Sequence, residues 1–163
     1  MMLENNISSD IRQEVQVKVS INDNELVDNN KIDEAMALVK SIDFKQMNDK
    51  LVNFYGWSKE DVSLMNDYYK KWLSLHVCYP NLATAPSMKL DEYWHMHILD
   101  TKKYMEDCQL VFGEYLHHYP YFGLESDTSD LDSGFELTKK LFMKHFNHSL
   151  TGLANPCKAT SCR

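Results

Sequence analysis

Histidines are concentrated in one stretch of this 163-residue chain. All seven lie between positions 76 and 148, and four of them fall within residues 95–118. A neutral imidazole nitrogen binds transition metals well near neutral pH, and carboxylates or thiolates complete the usual ligand sets. Asp91 and His95 are four positions apart, so on a helix both side chains lie on one face within reach of a common ion. This stretch therefore predicts a metal site.

The other histidines of this stretch can join that site only if the chain turns. His97 is two positions from His95, so on a regular helix the two rings point about 200° apart and cannot bind one ion. His118 is 23 positions from His95, which on a straight helix corresponds to a separation of about 35 Å. A shared site therefore requires the helix to break, and the break is expected either near Gly113 or at Asp100-Thr101.

Six residues of the stretch have side chains that suit a transition metal. A turn could also bring His145 or His148 of the last helix back towards Asp91 and His95. The predicted ligands are Asp91, His95, His97, Cys108, His117 and His118. Asp100 and Tyr104 are candidates either for groups that orient the metal ligands or for catalytic acid–base groups beside the ion. Mixed histidine and carboxylate ligation suits zinc, two histidines with one carboxylate equally suit non-haem iron, and copper is a further candidate. An ion with an open ligand position could activate water or oxygen.

Each of these side chains also has a purely structural interpretation. Asp91 and His95 can form a simple carboxylate–imidazole hydrogen bond on a helix surface. On a continuous helix His97 shares its face with apolar and aromatic residues, which is typical of a buried core histidine. The pair at 117–118 can charge and cap a helix C-terminus, where the helix dipole favours cations. The sequence leaves the structural and the metal-binding interpretations open side by side.

The elements that must position these residues are predicted to be helices. Only 5 glycines and 4 prolines interrupt the chain, which disfavours turn-rich β architectures. Apolar residues recur every three or four positions in five segments, which indicates amphipathic helices. These helices begin near Lys31, Phe44, Ser58, Leu90 and Phe135, and the fourth runs to about Leu116. We predict an all-α fold, a compact bundle of about five helices in a domain spanning residues 31–150.

Two flanking segments differ from this helical domain. Residues 1–30 form a polar arm in which apolar and polar residues alternate over 15–21, so a short strand or an extended segment is expected there. Residues 151–163 are small and polar, and they carry Cys157 and Cys162. We expect this second segment to be a flexible tail.

Composition narrows the classes of function. The formal net charge is -7 and only two of the 17 basic residues are arginine, so a nucleic-acid partner is not expected. No window of about 18 uninterrupted apolar residues occurs, so association with a membrane is not expected either. The first residues lack a basic start followed by an apolar run, which predicts a cytoplasmic location with reduced cysteines.

A dense set of fixed spacings resembles a known family. The residues that carry the resemblance are Leu90-Asp91, Trp94-His95, His97 to Thr101, Tyr104, Asp107-Cys108, Phe112-Gly113, Leu116-His117-His118 and Pro120-Tyr121-Phe122-Gly123. They are similar to bacterial relatives of the glycine-rich-domain-containing-protein-like family, a largely uncharacterised family. The similarity is dense over residues 79–123 and looser at 142–146. It implies a compact helical domain in which Asp91 and the histidines are special, and it implies no reaction.

Three interpretations of function from different classes follow from these observations. The leading one is a cytoplasmic helical metal-binding protein with a His/Asp site, and the sequence leaves open whether it is an enzyme acting on a small-molecule or peptide substrate. The second is a non-enzymatic interaction domain whose protein partner contacts the loop at 119–122. The third is a carrier domain whose C-terminal cysteines are modified or bind metal.

Overall fold

Six α-helices form the part of the chain that the computed structural model describes, namely residues 18–121 and 129–150, with the side chains of 129 and 130 left aside. The helices are α1 Asn29–Lys40, α2 Lys45–Tyr55, α3 Lys59–Cys78, α4 Met88–Leu99, α5 Thr101–Phe112 and α6 Ser129–Phe146. These residues contain no sheet, and none of their helices is both long and apolar enough to cross a membrane. The all-α prediction is confirmed, and the predicted fourth helix is divided into α4 and α5.

Polar caps set where three of the helices begin. The side chains of Asp28, Ser58 and Ser87 each accept a hydrogen bond from the backbone N–H three positions later. Such a cap satisfies one of the amide donors that the first turn of a helix leaves without a partner. The cap at Ser87 begins α4, which is the helix that carries Asp91 and His95.

The chain breaks at two positions between His95 and His118. Asp100 ends α4 and caps α5, because its side chain accepts a hydrogen bond from the Lys103 N–H at 3.4 Å. Gly113 ends α5 with a φ of 71°, a left-handed conformation that glycine adopts without the Cβ penalty. The helix therefore breaks at both of the alternative positions, and the segment after Gly113 returns to the side of α4.

The central helix is α3, because it contacts α1, α2, α4 and α6. Met65, Tyr69, Trp72 and Leu75 of this helix are almost completely buried, so their apolar surface is removed from water. The ring of Tyr93 from α4 packs 5.3 Å from the ring of Tyr69. This packing holds α4 against α3 and gives the candidate ligands on α4 a rigid support.

The N-terminal arm forms a single bridge rather than the predicted strand within the described residues. The backbone of Lys18 makes hydrogen bonds of 3.0 and 2.8 Å to the loop after α3, as an isolated parallel bridge to Leu82. Residues 15–17 of the predicted strand and the tail at 151–163, with both its cysteines, lie outside the described residues.

Candidate metal centre

Three side chains from two segments converge beside α4. Asp91 and His95 lie one turn apart on α4, and His118 belongs to the irregular segment after α5. His95 Nε2 and His118 Nε2 are 3.0 Å apart. Asp91 Oδ1 lies 3.1 Å from His118 Nε2, and Asp91 Oδ2 lies 3.4 Å from His95 Nε2. Among the described residues, this is the group whose ligand atoms come close enough together to hold one metal ion.

The spacing of these atoms matches the ligand spacing around a transition-metal ion. Nitrogen and oxygen ligands lie about 2.0–2.2 Å from zinc, so two ligand atoms of a tetrahedral site are about 3.3 Å apart. The observed separations run from 3.0 to 3.4 Å and bracket that value. The three side chains therefore lie at about the spacing of metal ligands, with the two Asp91 distances measured from different carboxylate oxygens.

Burial differs across the group and leaves one side open. Asp91 is 3% exposed, whereas the side chains of His95 and His118 are 25% and 14% exposed. Burial lowers the pKa of His95 even though the Asp91 carboxylate acts in the opposite direction. The His95 ring is therefore neutral at pH 7, which is the form that binds a metal. An ion in this group would contact the buried carboxylate on its inner side and solvent on the histidine side.

His97 lies outside this group, in the protein core. Its Nδ1 is 2.9 Å from the Tyr69 hydroxyl and its Nε2 is 2.9 Å from the Asp107 carboxylate. Lys103 Nζ lies 2.8 Å from the same carboxylate and balances its charge. Because both ring nitrogens have partners, His97 links α3, α4 and α5 and leaves no nitrogen for an ion.

The structure places the remaining candidates apart from the three converging side chains. His117 is exposed, with its ring 4.8 Å from the ring of Tyr115. Cys108 is a buried thiol of α5, and burial raises its pKa. Asp100 caps α5, and Tyr104 is a buried residue of the same helix. None of these four candidates belongs to the described group of metal-ligand atoms.

Sequence reasoning missed the buried acidic partner of His97. Asp107 follows ten positions later, and the break at Asp100 removes the helical spacing that would have related the two side chains. One signal was available, because Lys103 precedes Asp107 by four positions, which is typical of an ion pair on one helix. That spacing would have identified Asp107 as a paired charge, although not as a neighbour of His97.

The fold and the site define an all-helical protein with a candidate Asp/His/His metal group. A family model described as UCP032817-like matches residues 34–147, and the chain belongs to this UCP032817-like family. The matched range includes all three converging side chains. No curated protein and no solved structure matches the chain. The family description states no activity, and the relation to the glycine-rich-domain proteins stays a prediction.

Proposed function

We propose that this protein binds one divalent transition-metal ion through Asp91, His95 and His118. The observation that carries the proposal is the convergence of one carboxylate and two imidazole nitrogens, 3.0 to 3.4 Å apart, from two separate segments. Two histidines with one carboxylate form a ligand set that suits both zinc and non-haem iron.

Hydrogen bonding alone does not account for all three contacts. Each Nε2 carries at most one hydrogen, and an ionised carboxylate can only accept. If both rings carry that hydrogen, each donates to Asp91, but the two Nε2–H groups then face each other at 3.0 Å. If only one ring carries it, the other has no proton to donate to the carboxylate. A cation makes all three contacts favourable at once, because each ligand atom then presents a lone pair to the ion.

Three protein ligands leave a coordination position for water, as in catalytic zinc sites. The partial exposure of His95 supports a position that faces solvent. Zinc is the first candidate ion, with iron(II) and copper as alternatives. An ion held by Asp91, His95 and His118 would supply a nucleophile near neutral pH by lowering the pKa of a bound water, which would suit a reaction on a small-molecule or peptide substrate.

Elemental analysis of tag-free protein tests this proposal. Wild-type protein is measured as purified without chelator and after separate reconstitution with zinc, iron(II) or copper. We expect one equivalent of one of these metals per chain. The double variant His95→Ala/His118→Ala is expected to hold none, while circular dichroism shows an unchanged helix content.

The matched control for that experiment is His117→Ala. His117 is the exposed neighbour of His118 and lies outside the group of three. This variant is expected to keep the full metal content. A wild-type protein without metal after every reconstitution, or a double variant that still holds one equivalent, would contradict the proposal.

A further inference from the structure

We infer that Tyr104 is a positioning residue of the metal centre, which holds the backbone that carries His118 without touching the ion. The inference rests on the proposed metal site and adds to it a residue that decides how tightly and in what geometry the ion is bound. One buried hydroxyl, one indole and one backbone carbonyl form the link between Tyr104 and His118.

The hydroxyl of Tyr104 joins α4 to the segment after α5. It lies 2.9 Å from the indole Nε1 of Trp94 and 2.6 Å from the backbone oxygen of Leu116. An indole N–H can only donate and a carbonyl can only accept, so the hydroxyl accepts from Trp94 and donates to Leu116. Burial raises the pKa of Tyr104, which keeps this hydroxyl protonated and able to donate. The direction of both hydrogen bonds is therefore fixed.

These hydrogen bonds restrain His118 in two ways. Leu116 is two residues before His118, so the carbonyl held by Tyr104 sets the backbone that carries the ligand. The ring of Trp94 also packs 4.5 Å from the ring of His118. Trp94 itself lies between Asp91 and His95 on α4, so the same pair of side chains relates all three ligands to one another.

His118 needs such restraint more than the other two ligands do. The α4 helix fixes the relative positions of Asp91 and His95, whereas His118 follows Gly113 in a segment that is not helical. A flexible ligand would have to be ordered each time an ion binds, which lowers affinity. Tyr104 is itself anchored, because it is 1% exposed and its ring packs 4.8 Å from His97 in the core.

The variant that isolates this role is Tyr104→Phe, which removes the hydroxyl and keeps the ring. Tyr93→Phe is the matched control, because Tyr93 is equally buried and its hydroxyl also has two close polar neighbours. Those neighbours are Asn48 and Asn66, and neither belongs to the segment at 114–118. Both variants lose one buried hydroxyl, but only the first one releases the backbone before His118.

Zinc affinity and the visible spectrum of the Co(II)-loaded full-length protein are the two measurements. Tyr104→Phe is expected to weaken zinc binding about ten- to hundredfold, which is typical when a residue that orients a metal ligand is lost. Its Co(II) spectrum is expected to change as well, because that spectrum reports coordination geometry. Tyr93→Phe is expected to lower the stability of the fold and to leave both metal measurements unchanged.

The outcomes separate this inference from the proposed function. If wild-type protein binds zinc and Tyr104→Phe binds it equally tightly with the same Co(II) spectrum, Tyr104 is only a core residue and the inference is overturned. If wild-type protein binds neither ion, the metal centre itself is overturned and the inference with it. Should Tyr104→Phe fail to fold, Trp94→Phe removes the indole N–H of the same pair, and an unchanged zinc affinity in that variant would also overturn the inference.

Discussion

Two histidines of one helix, His95 and His97, have opposite surroundings. The predicted angle of about 200° between them sends His95 toward Asp91 at the partly exposed side of α4 and His97 into the core. In the core, both nitrogens of His97 are taken by Tyr69 and Asp107. Residue type therefore indicated which side chains could bind metal, and helical spacing separated the two rings. Only the packed structure shows which ring keeps a nitrogen for an ion.

The variant His97→Leu tests the structural role of this buried ring. The substitution leaves the Tyr69 hydroxyl and one side of the Asp107 carboxylate without a partner in a buried environment. We expect a loss of about 3 kcal/mol in the free energy of unfolding, measured by urea denaturation. Folded His97→Leu protein is expected to bind one equivalent of zinc, as wild-type protein does. Loss of zinc with little change in stability would instead assign His97 to the metal centre.

The second prediction concerns the pH dependence of stability through His76 of α3. Its Nε2 lies 3.1 Å from the Thr84 hydroxyl, and burial lowers the pKa of His76 to about 4. An unfolded histidine has a pKa of about 6.5, so between these values the unfolded chain binds a proton that the folded chain does not. Stability therefore falls as the pH falls through this window, by at most about 3 kcal/mol from this one group.

The variant His76→Gln removes that titration and keeps a polar side chain next to Thr84. Unfolding free energies are compared for both proteins near pH 7 and near pH 4, with chelator present. Wild-type protein is expected to lose more stability than His76→Gln on acidification, because the contributions of all other groups are shared. Equal losses would show that the folded protein accepts the proton on His76 without penalty.

The ends of α4 and α5 show which features of the fold short stretches of sequence can predict. Periodicity alone predicts one helix through Asp100 and Gly113, and a break at either position is expected only because a shared site requires one, although a capping side chain and a left-handed glycine are local features. The direction in which the chain continues after Gly113 was not readable, because it depends on contacts such as the hydrogen bond from Tyr104 to Leu116. The break that the metal site requires was therefore predictable, whereas the arrival of His118 at α4 was not.

Two of the helices end at a glycine with a left-handed backbone. Gly56 ends α2 and Gly113 ends α5, each with a φ of 71°, and a Cβ added at either position would meet no atom within 4 Å apart from those of the glycine and its chain neighbours. Replacement by alanine therefore acts through backbone strain alone, and each variant is expected to lose about 1 kcal/mol of stability. Only Gly113→Ala is expected to weaken zinc binding, because only this glycine directs the chain toward His118.

The two variants are compared by thermal unfolding and by zinc competition. Similar melting temperatures together with different zinc affinities would locate the effect in the turn after α5. If Gly56→Ala weakens zinc binding as much as Gly113→Ala does, the loss comes from general destabilisation, and the turn has no special part in placing His118.

The periodicity of apolar residues predicts the fold class, but it does not predict the contacts between segments that are distant in sequence. A turn could bring His145 or His148 back toward α4 as ligands, yet His145 of α6 contacts Tyr79 and Asn29, and His148, after α6, contacts Lys71 of α3. His145 lies 2.7 Å from the Tyr79 hydroxyl and 3.2 Å from Asn29. His148 Nδ1 is 2.8 Å from Lys71 Nζ. Their partners are far away in sequence, so spacing along the chain does not predict these contacts.

A metal ion that binds only the folded chain must also stabilise the whole molecule. Zinc at about a hundredfold excess over its Kd adds about 2.7 kcal/mol to the free energy of unfolding, which raises the Tm of a chain of this size by about 5–10 °C. The double variant His95→Ala/His118→Ala is expected to show no such rise, because it lacks two of the three ligands. The full-length variant Cys157→Ser/Cys162→Ser is expected to show the wild-type rise, because the proposed site uses neither cysteine. Differential scanning calorimetry with and without zinc decides between these two sites. If the rise in Tm is lost in the cysteine variant and kept in the histidine variant, the metal binds to the tail.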